Sequence, residues 1–520
     1  MSLSPLLGSL TQDPAVAEAV RLARTDAVTE HSLTAPGAAR PFVIAALADS
    51  RQGAGRPVLA VVATGRESED LVTALRSLLP AESVVEFPAW ETLPHERLSP
   101  GVDTVGRRTA VLRRLRHPGD AHDEEGVIRV VVAPVRALLQ PIVSGIGDVE
   151  PVILRQGDQV VLDDAVRTLS ERGYARVDLV DRRGQFAVRG GILDVFVPTE
   201  EHPQRVEFWG DEVDEVRWFA VADQRSLGES PEGVWATPCR ELLLTDAVRA
   251  RAAALAPERD DLADLLSRIA EGMHVEGMEA LAPVLADGLD LLTDAVDSRS
   301  IVVVCDPERI RTRAHELVAT SQEFLEASWH NAAVGNSTPV DLGRSAYRDL
   351  SEVREAAQSV GLSWWSVSPF GLDDPLGVDD SELDAPTGSA TAMAARPVPQ
   401  YLGDVQAGLR DAAALMADGY SVVLVAEGAG AAQRIAEECG ELDIPARTEI
   451  PLEAIPEPGV VAVTTATVEH GFIADRAHLV LMTESDLAGQ RTSTKDMRRA
   501  RTFGHQHHAV TICHQRRSIT

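Results

Sequence analysis

The sequence predicts an α/β protein that carries an inserted α+β module and continues into a second, smaller α/β domain. Three observations predict this: apolar strand-like runs alternating with helical stretches on both sides of residues 151–219, short alternating strands inside that window, and a new strand–helix alternation after an acidic, Pro/Gly/Ser/Thr-rich stretch.

From Val58 the chain reads VLAVV, a Thr-Gly turn, and then a helix with Leu71, Ala74, Leu75 and Leu78 at helical spacing. Val84, Val85 and Phe87 read as a second strand. After the loop WETLPHERLSPG a helix carries Val105, Ala110, Val111 and Leu115, and Ile128 to Ala133 is a third, nearly continuous apolar run, as in a buried parallel sheet. Residues 151–219 change to short strands broken by Gly, Asp and Pro, with one helix from Asp164 to Arg172. From Pro231 helical periodicity returns, followed by the apolar strand Ile301–Cys305, which completes the first α/β layer. After the acidic stretch come a helix from Val405 to Ala417, a strand from Ser421 to Ala426, a helix from Ala429 to Cys439, and strands from Gly459 to Thr464 and His478 to Thr483. The division expected is residues 1–133 and 226–372 for the two parts of a split α/β domain, 134–225 for the insert, 373–397 for an acidic linker, 398–490 for the small α/β domain, and 491–520 for a divergent, disordered tail.

At 520 residues and 44% hydrophobic composition the chain can bury several cores. Asp plus Glu at 80 against Lys plus Arg at 49 gives a net charge of −31, which disfavours generic nucleic-acid binding over the whole surface. Cys239, Cys305, Cys439 and Cys513 lack both zinc-site spacing and disulfide density, which fits a reducing cytoplasm. No secretory leader and no long uncharged apolar run is read in the sequence, so neither export nor a membrane span is expected. Lys495 is the only lysine. A phosphate-cradling G-x-x-x-x-G-K-[ST] loop needs a lysine behind its glycines, and Lys495 follows no such loop, so no nucleotide cofactor is expected.

The run from Asp181 to Phe219 carries the most information, because strand side chains alternate faces. In QFAVR, Phe186 and Val188 share one side while Gln185, Ala187 and Arg189 share the other. In RVEFW, Val206 and Phe208 point inward while Arg205, Glu207 and Trp209 point outward, and Gly210-Asp211-Glu212 supplies the turn. Trp and Arg are over-represented at binding hot spots, so an acidic or aromatic partner surface is the natural complement. The bland reading stays open: Trp209 packs beneath a neighbouring element, while Arg189 and Arg205 pair with Glu207 or Asp211.

Four motifs resemble the bacterial transcription-repair coupling factor family (Mfd), in its N-terminal region related to the excision-repair helicase UvrB. They are FPAWETLPHERLSPG at Phe87, RGQFAVRGGILDVFVP at Arg183, RVEFWGDEVDEVRWF at Arg205 with DQRS at Asp223, and EHGF with ESDLAG at Glu469 and Glu484. The resemblance implies a split RecA-like α/β domain without a P-loop, enclosing an insert that binds the damage-recognition ATPase UvrA, and a small non-catalytic α/β domain. By position it maps the UvrA contacts onto Arg189, Arg205 and Trp209; Glu207 and Asp211, beside them in the sequence, are supporting candidates. In the family RNA polymerase and DNA are partners of the full-length protein. The chain departs from the family pattern after Arg499, so it reads as a product truncated before the polymerase-binding and helicase domains, without their ATPase. The alternatives are a nucleotide-driven DNA translocase, as in the full-length family, and an inert gene product.

Other signals carry less. Trp90 and Leu93 read as packing anchors, since the loop lacks the aromatic density that would stack on DNA bases. Arg107, Arg108, Arg113, Arg114 and Arg116 either track phosphates or form a solvated helix face. EGAGAAQ at Glu427 reads as a tight strand-to-helix turn because its sixth position is Gln433. The tail residues His505, His507, His508, Cys513 and His514 match no defined metal spacing.

Overall fold

The computed structural model describes residues 3–25, 28–93, 96, 98–119, 127–332, 347–370 and 389–489. Seven strands form the first sheet, in the order Ser389–Ala392, Glu30–Thr34, Ser363–Ser368, Ile301–Cys305, Val58–Val62, Val130–Pro134 and Val84–Glu86. Every pairing in it is parallel. Helices cover both faces, which is why the central strands are apolar at every position. Val58, Ala60 and Val62 face one core with the helices Pro14–Thr25 and Arg40–Ala48, while Leu59 and Val61 face another with Val111, Leu112, Ile310 and Val353.

Three of these strands are not apolar runs. Glu30–Thr34 (EHSLT), Ser363–Ser368 (SWWSVS) and Ser389–Ala392 (SATA) lie together towards one edge. His31, buried there, shares its two ring nitrogens between Ser389 Oγ at 2.8 Å and Thr391 Oγ1 at 3.1 Å, so hydroxyl bonding replaces the apolar signature. This corrects the expected linker: residues 389–392 are an edge strand of the first sheet and Ala395–Pro397 an edge strand of the small one. Residues 371–388, which hold the first part of that stretch from 373, lie outside the described residues, as do Lys495 and the tail from 490.

The insert is a six-stranded sheet in the order Ser226–Glu229, Glu212–Phe219, Gln204–Trp209, Ile192–Val195, Gln185–Arg189 and Ala175–Arg176. The helix Leu162–Glu171 buries Ala165 and Leu169 against its inner core. Val152–Leu154 pairs antiparallel with Val234–Ala236 and brings the two ends of the module together. The expected bounds, 134–225, therefore shift. Val135, Leu138, Ile142 and Ile146 pack in a core of the first domain, while the strands at 226–236 stay with the insert because they pair back onto it.

Residues 242–285 do not join the first layer as the helical periodicity suggested. The helices Asp246–Leu255 and Ala263–Ala270 bury Val248, Leu266, Ile269 and Leu281 in a core of their own. In the small domain the strand order is Ala395–Pro397, Phe472–Ala474, Leu479–Thr483, Ser421–Ala426, Val461–Thr465 and Ala446–Thr448. One face of this sheet packs into the first domain's core, with Phe472 edge-on to Phe42 at 5.1 Å between ring centroids. No helix among the described residues is long and apolar enough to cross a membrane.

Candidate partner-binding face

The insert sheet has one face on the module's core and one turned away from it. Phe186, Leu193, Val195, Val206, Val213 and Val216 fill the core side. On the other side the registers Arg189↔Ile192↔Glu207 and Ala187↔Asp194↔Arg205↔Arg217 set two cross-strand rows, and Trp209 stands beyond them opposite Glu212.

Trp209 is 83% exposed. Its place is fixed from below: Gly210, at φ +66°, makes the turn with Asp211, and the hairpin tip is bonded to the loop 157–160 that leads into the helix Leu162–Glu171. Val160 N donates to Asp211 O at 2.7 Å, Gly157 N to Val213 O at 2.8 Å, and Val213 N to Asp158 O at 2.9 Å. A rigid support holds the indole in water, where nothing in the fold requires it.

Arg205 differs from the expected picture. It leaves the sheet on the outer side, but Asp194, 2% exposed, accepts from its Nε at 2.7 Å and its Nη2 at 2.9 Å. Its guanidinium carbon lies 4.7 Å from the centre of the Phe219 ring. The bidentate bond to Asp194 raises the guanidinium's already high pKa against the opposing effect of burial. Arg205 is thus mostly covered, and its partner is neither Glu207 nor Asp211. Arg189 lies looser, with Nη2 3.6 Å from Asp194 Oδ2 and the side chain 54% exposed. Glu207 pairs with Arg217, which also meets Glu215 at 3.2 Å.

The outer side is also not wholly exposed. Ala187 is buried in a small second core with Val180, Phe196 and Phe219. The residue that sequence reasoning missed is Asp194. Its signal was present: a lone carboxylate inside the apolar strand ILDVFV is a buried charge in need of a partner.

Elsewhere the arginine helix Val102–Arg116 buries Arg108 and Arg113 and leaves Arg107 and Arg116 exposed. Arg108 is fully buried against Glu241, donates to Pro88 O at 2.9 Å and sits 4.3 Å from the centre of the Phe87 ring, while Trp90 Nε1 donates to the same Glu241 at 2.9 Å. Arg113 is buried and bonds Asp148 O, and Arg107 pairs with Glu86. Gly428 precedes the helix Ala429–Glu441 as a strand-to-helix turn. Cys305 and Cys439 have thiols pushed up to about 11 by burial, which makes them poor nucleophiles. Among the described residues no group of three or more His, Cys, Asp or Glu side chains is arranged to hold a metal.

Residues 152–238 match the family model of the UvrB interaction domain. Over 486 residues the chain is 47% identical to the transcription-repair-coupling factors of Mycobacterium bovis and Mycobacterium tuberculosis, a match that covers 90% of this chain and 38% of each relative. The factor of Myxococcus xanthus is 33% identical over 297 residues, 52% of this chain and 23% of that protein. The chain thus spans well under half the length of these relatives.

Proposed function

We propose, on the premise that this chain is a relative of the transcription-repair-coupling factors and carries a UvrB interaction domain, that its insert docks UvrA during transcription-coupled nucleotide excision repair. The observation that carries this is Trp209, 83% exposed on a braced hairpin beside the loosely held Arg189, inside the stretch that matches the UvrB interaction domain. Trp209 and Arg189 are the contact residues. Arg205, clamped by Asp194, positions the strand beneath them. Titration calorimetry of the full chain against UvrA tests this: truncating either contact residue to Ala should cost about 2 kcal/mol, roughly thirtyfold in affinity. Unchanged affinity in the Arg189→Ala/Trp209→Ala double variant overturns the assignment.

The same reading makes the chain a dock rather than a motor, acting in the cytoplasm on a degenerate RecA-like scaffold. Its one lysine, Lys495, follows no glycine loop, and Cys239, Cys305 and Cys439 are unbridged. DNA-stimulated ATP hydrolysis by the purified chain would overturn the no-motor reading.

A further inference from the structure

The hairpin that presents Trp209 is acidic. Asp211, Glu212 and Asp214 are exposed around its tip, and Glu207 and Glu215 behind it share the single cation Arg217. Arg189, the loosely held cation of the face, lies on another strand. From Arg189 the register crosses two strands to Glu207, and Trp209 is two residues further on. With strands about 4.8 Å apart and a rise of about 3.4 Å per residue, the two Cα positions are about 12 Å apart. The face therefore has two poles, a cation at one end and an aromatic ring among carboxylates at the other.

An indole face attracts a cation through its quadrupole, and nearby carboxylates strengthen the attraction. The fold already uses this pairing where it buries rings, with Arg108 over Phe87 and Arg205 over Phe219. Among the described residues no arginine is placed over Trp209. Loop-to-hairpin bonds at 2.7 to 2.9 Å hold the tip, so binding there orders little backbone.

We propose that Trp209 is a cation platform: an arginine or lysine of the docked protein stacks on its ring, framed by Asp211 and Glu212, while an acidic group of the same protein meets Arg189 about 12 Å away. This rests on the reading of the insert as the UvrA dock and adds the chemistry that the opposite surface must carry.

The test is calorimetric titration of UvrA into the full chain and three variants. Trp209→Leu keeps apolar area and removes the ring, and should bind about tenfold more weakly, whereas Trp209→Phe should stay within about threefold. Asp211→Asn with Glu212→Gln should weaken binding about threefold or more, with the loss shrinking at 0.5 M salt. Circular dichroism confirms that each variant folds. Wild-type affinity in Trp209→Leu, or tighter binding after the acidic pair is neutralised, overturns the cation platform while leaving the dock standing. No binding of UvrA by the wild-type chain overturns both.

Discussion

Asp194→Ala strikes the clamp on the outer face of the insert sheet. It deletes the acceptor of both Arg205 bonds, at 2.7 and 2.9 Å, and of the looser Arg189 contact. Removing one partner of a fully buried ion pair costs about 3 to 5 kcal/mol because the other charge is stranded. Arg205 is less confined: its side chain is 24% exposed and its Nη1 already reaches Gln224 O at 3.4 Å, so water and that carbonyl recover part of the loss. We expect about 2 to 3 kcal/mol for Asp194→Ala and about half that for Asp194→Asn, which keeps one acceptor oxygen. Arg205→Ala should cost a similar amount through the lost Phe219 contact and the stranded Asp194, and the double variant far less than the sum. The assay is urea denaturation read from the insert's fluorescence, arranged as a double-mutant cycle. Coupling of at least about 1.5 kcal/mol is expected, and a value under about 0.5 kcal/mol would refute the clamp.

Three further outcomes follow from other parts of the fold. Glu241→Ala should destabilise the chain by about 3 to 5 kcal/mol by stranding the buried Arg108, whereas replacing both residues with Leu or Met should be milder, its remaining cost coming from Trp90 Nε1, which loses its acceptor; a denaturation series decides it. Gly106→Ala improves helix propensity by about 1 kcal/mol yet puts a methyl group 2.2 Å from Pro198 Cβ, so thermal unfolding should show net destabilisation of about 1 to 3 kcal/mol; a raised melting temperature would contradict the contact. Burial holds the His31 pKa below its usual 6.5. The unfolded chain therefore takes up the proton first as pH falls, so this stability is complete above about 6.5 and declines as pH drops towards the folded pKa. His31→Gln should flatten that decline in melting temperature between neutral and mildly acidic pH.

What the sequence disclosed depended on which physical rule governed each element. Val58–Val62, Val130–Pro134 and Ile301–Cys305 were legible because strands covered by helices on both faces must be apolar throughout. Glu30–Thr34 and Ser389–Ala392 were not, because His31, Ser389 and Thr391 satisfy one another across the ladder and erase the pattern. On the outer face of the insert, period-two alternation placed Trp209 and Arg189 correctly in water. It could not show that Arg205 bends onto Asp194 and Phe219, since alternation gives the side of a sheet and not the neighbour across it. In the arginine helix, likewise, charge counts do not reveal that Arg108 has Glu241 beside it.

The pairing of Val152–Leu154 with Val234–Ala236 also bears on how the chain reaches its native state. Val130–Pro134 and Ile301–Cys305 flank the same central strand of the first sheet, although residues 135–300 separate them in sequence. Once the module has folded and its two ends are paired, residues 155–233 no longer count towards the loop that the host must close. Closure entropy grows only logarithmically, about 0.6 kcal/mol per doubling, so the thermodynamic gain is small. The same term enters the barrier to closure, where a long-range parallel pairing becomes a search between shorter arms. The module can thus complete its own search early and leave the host sheet to assemble around two neighbouring chain ends.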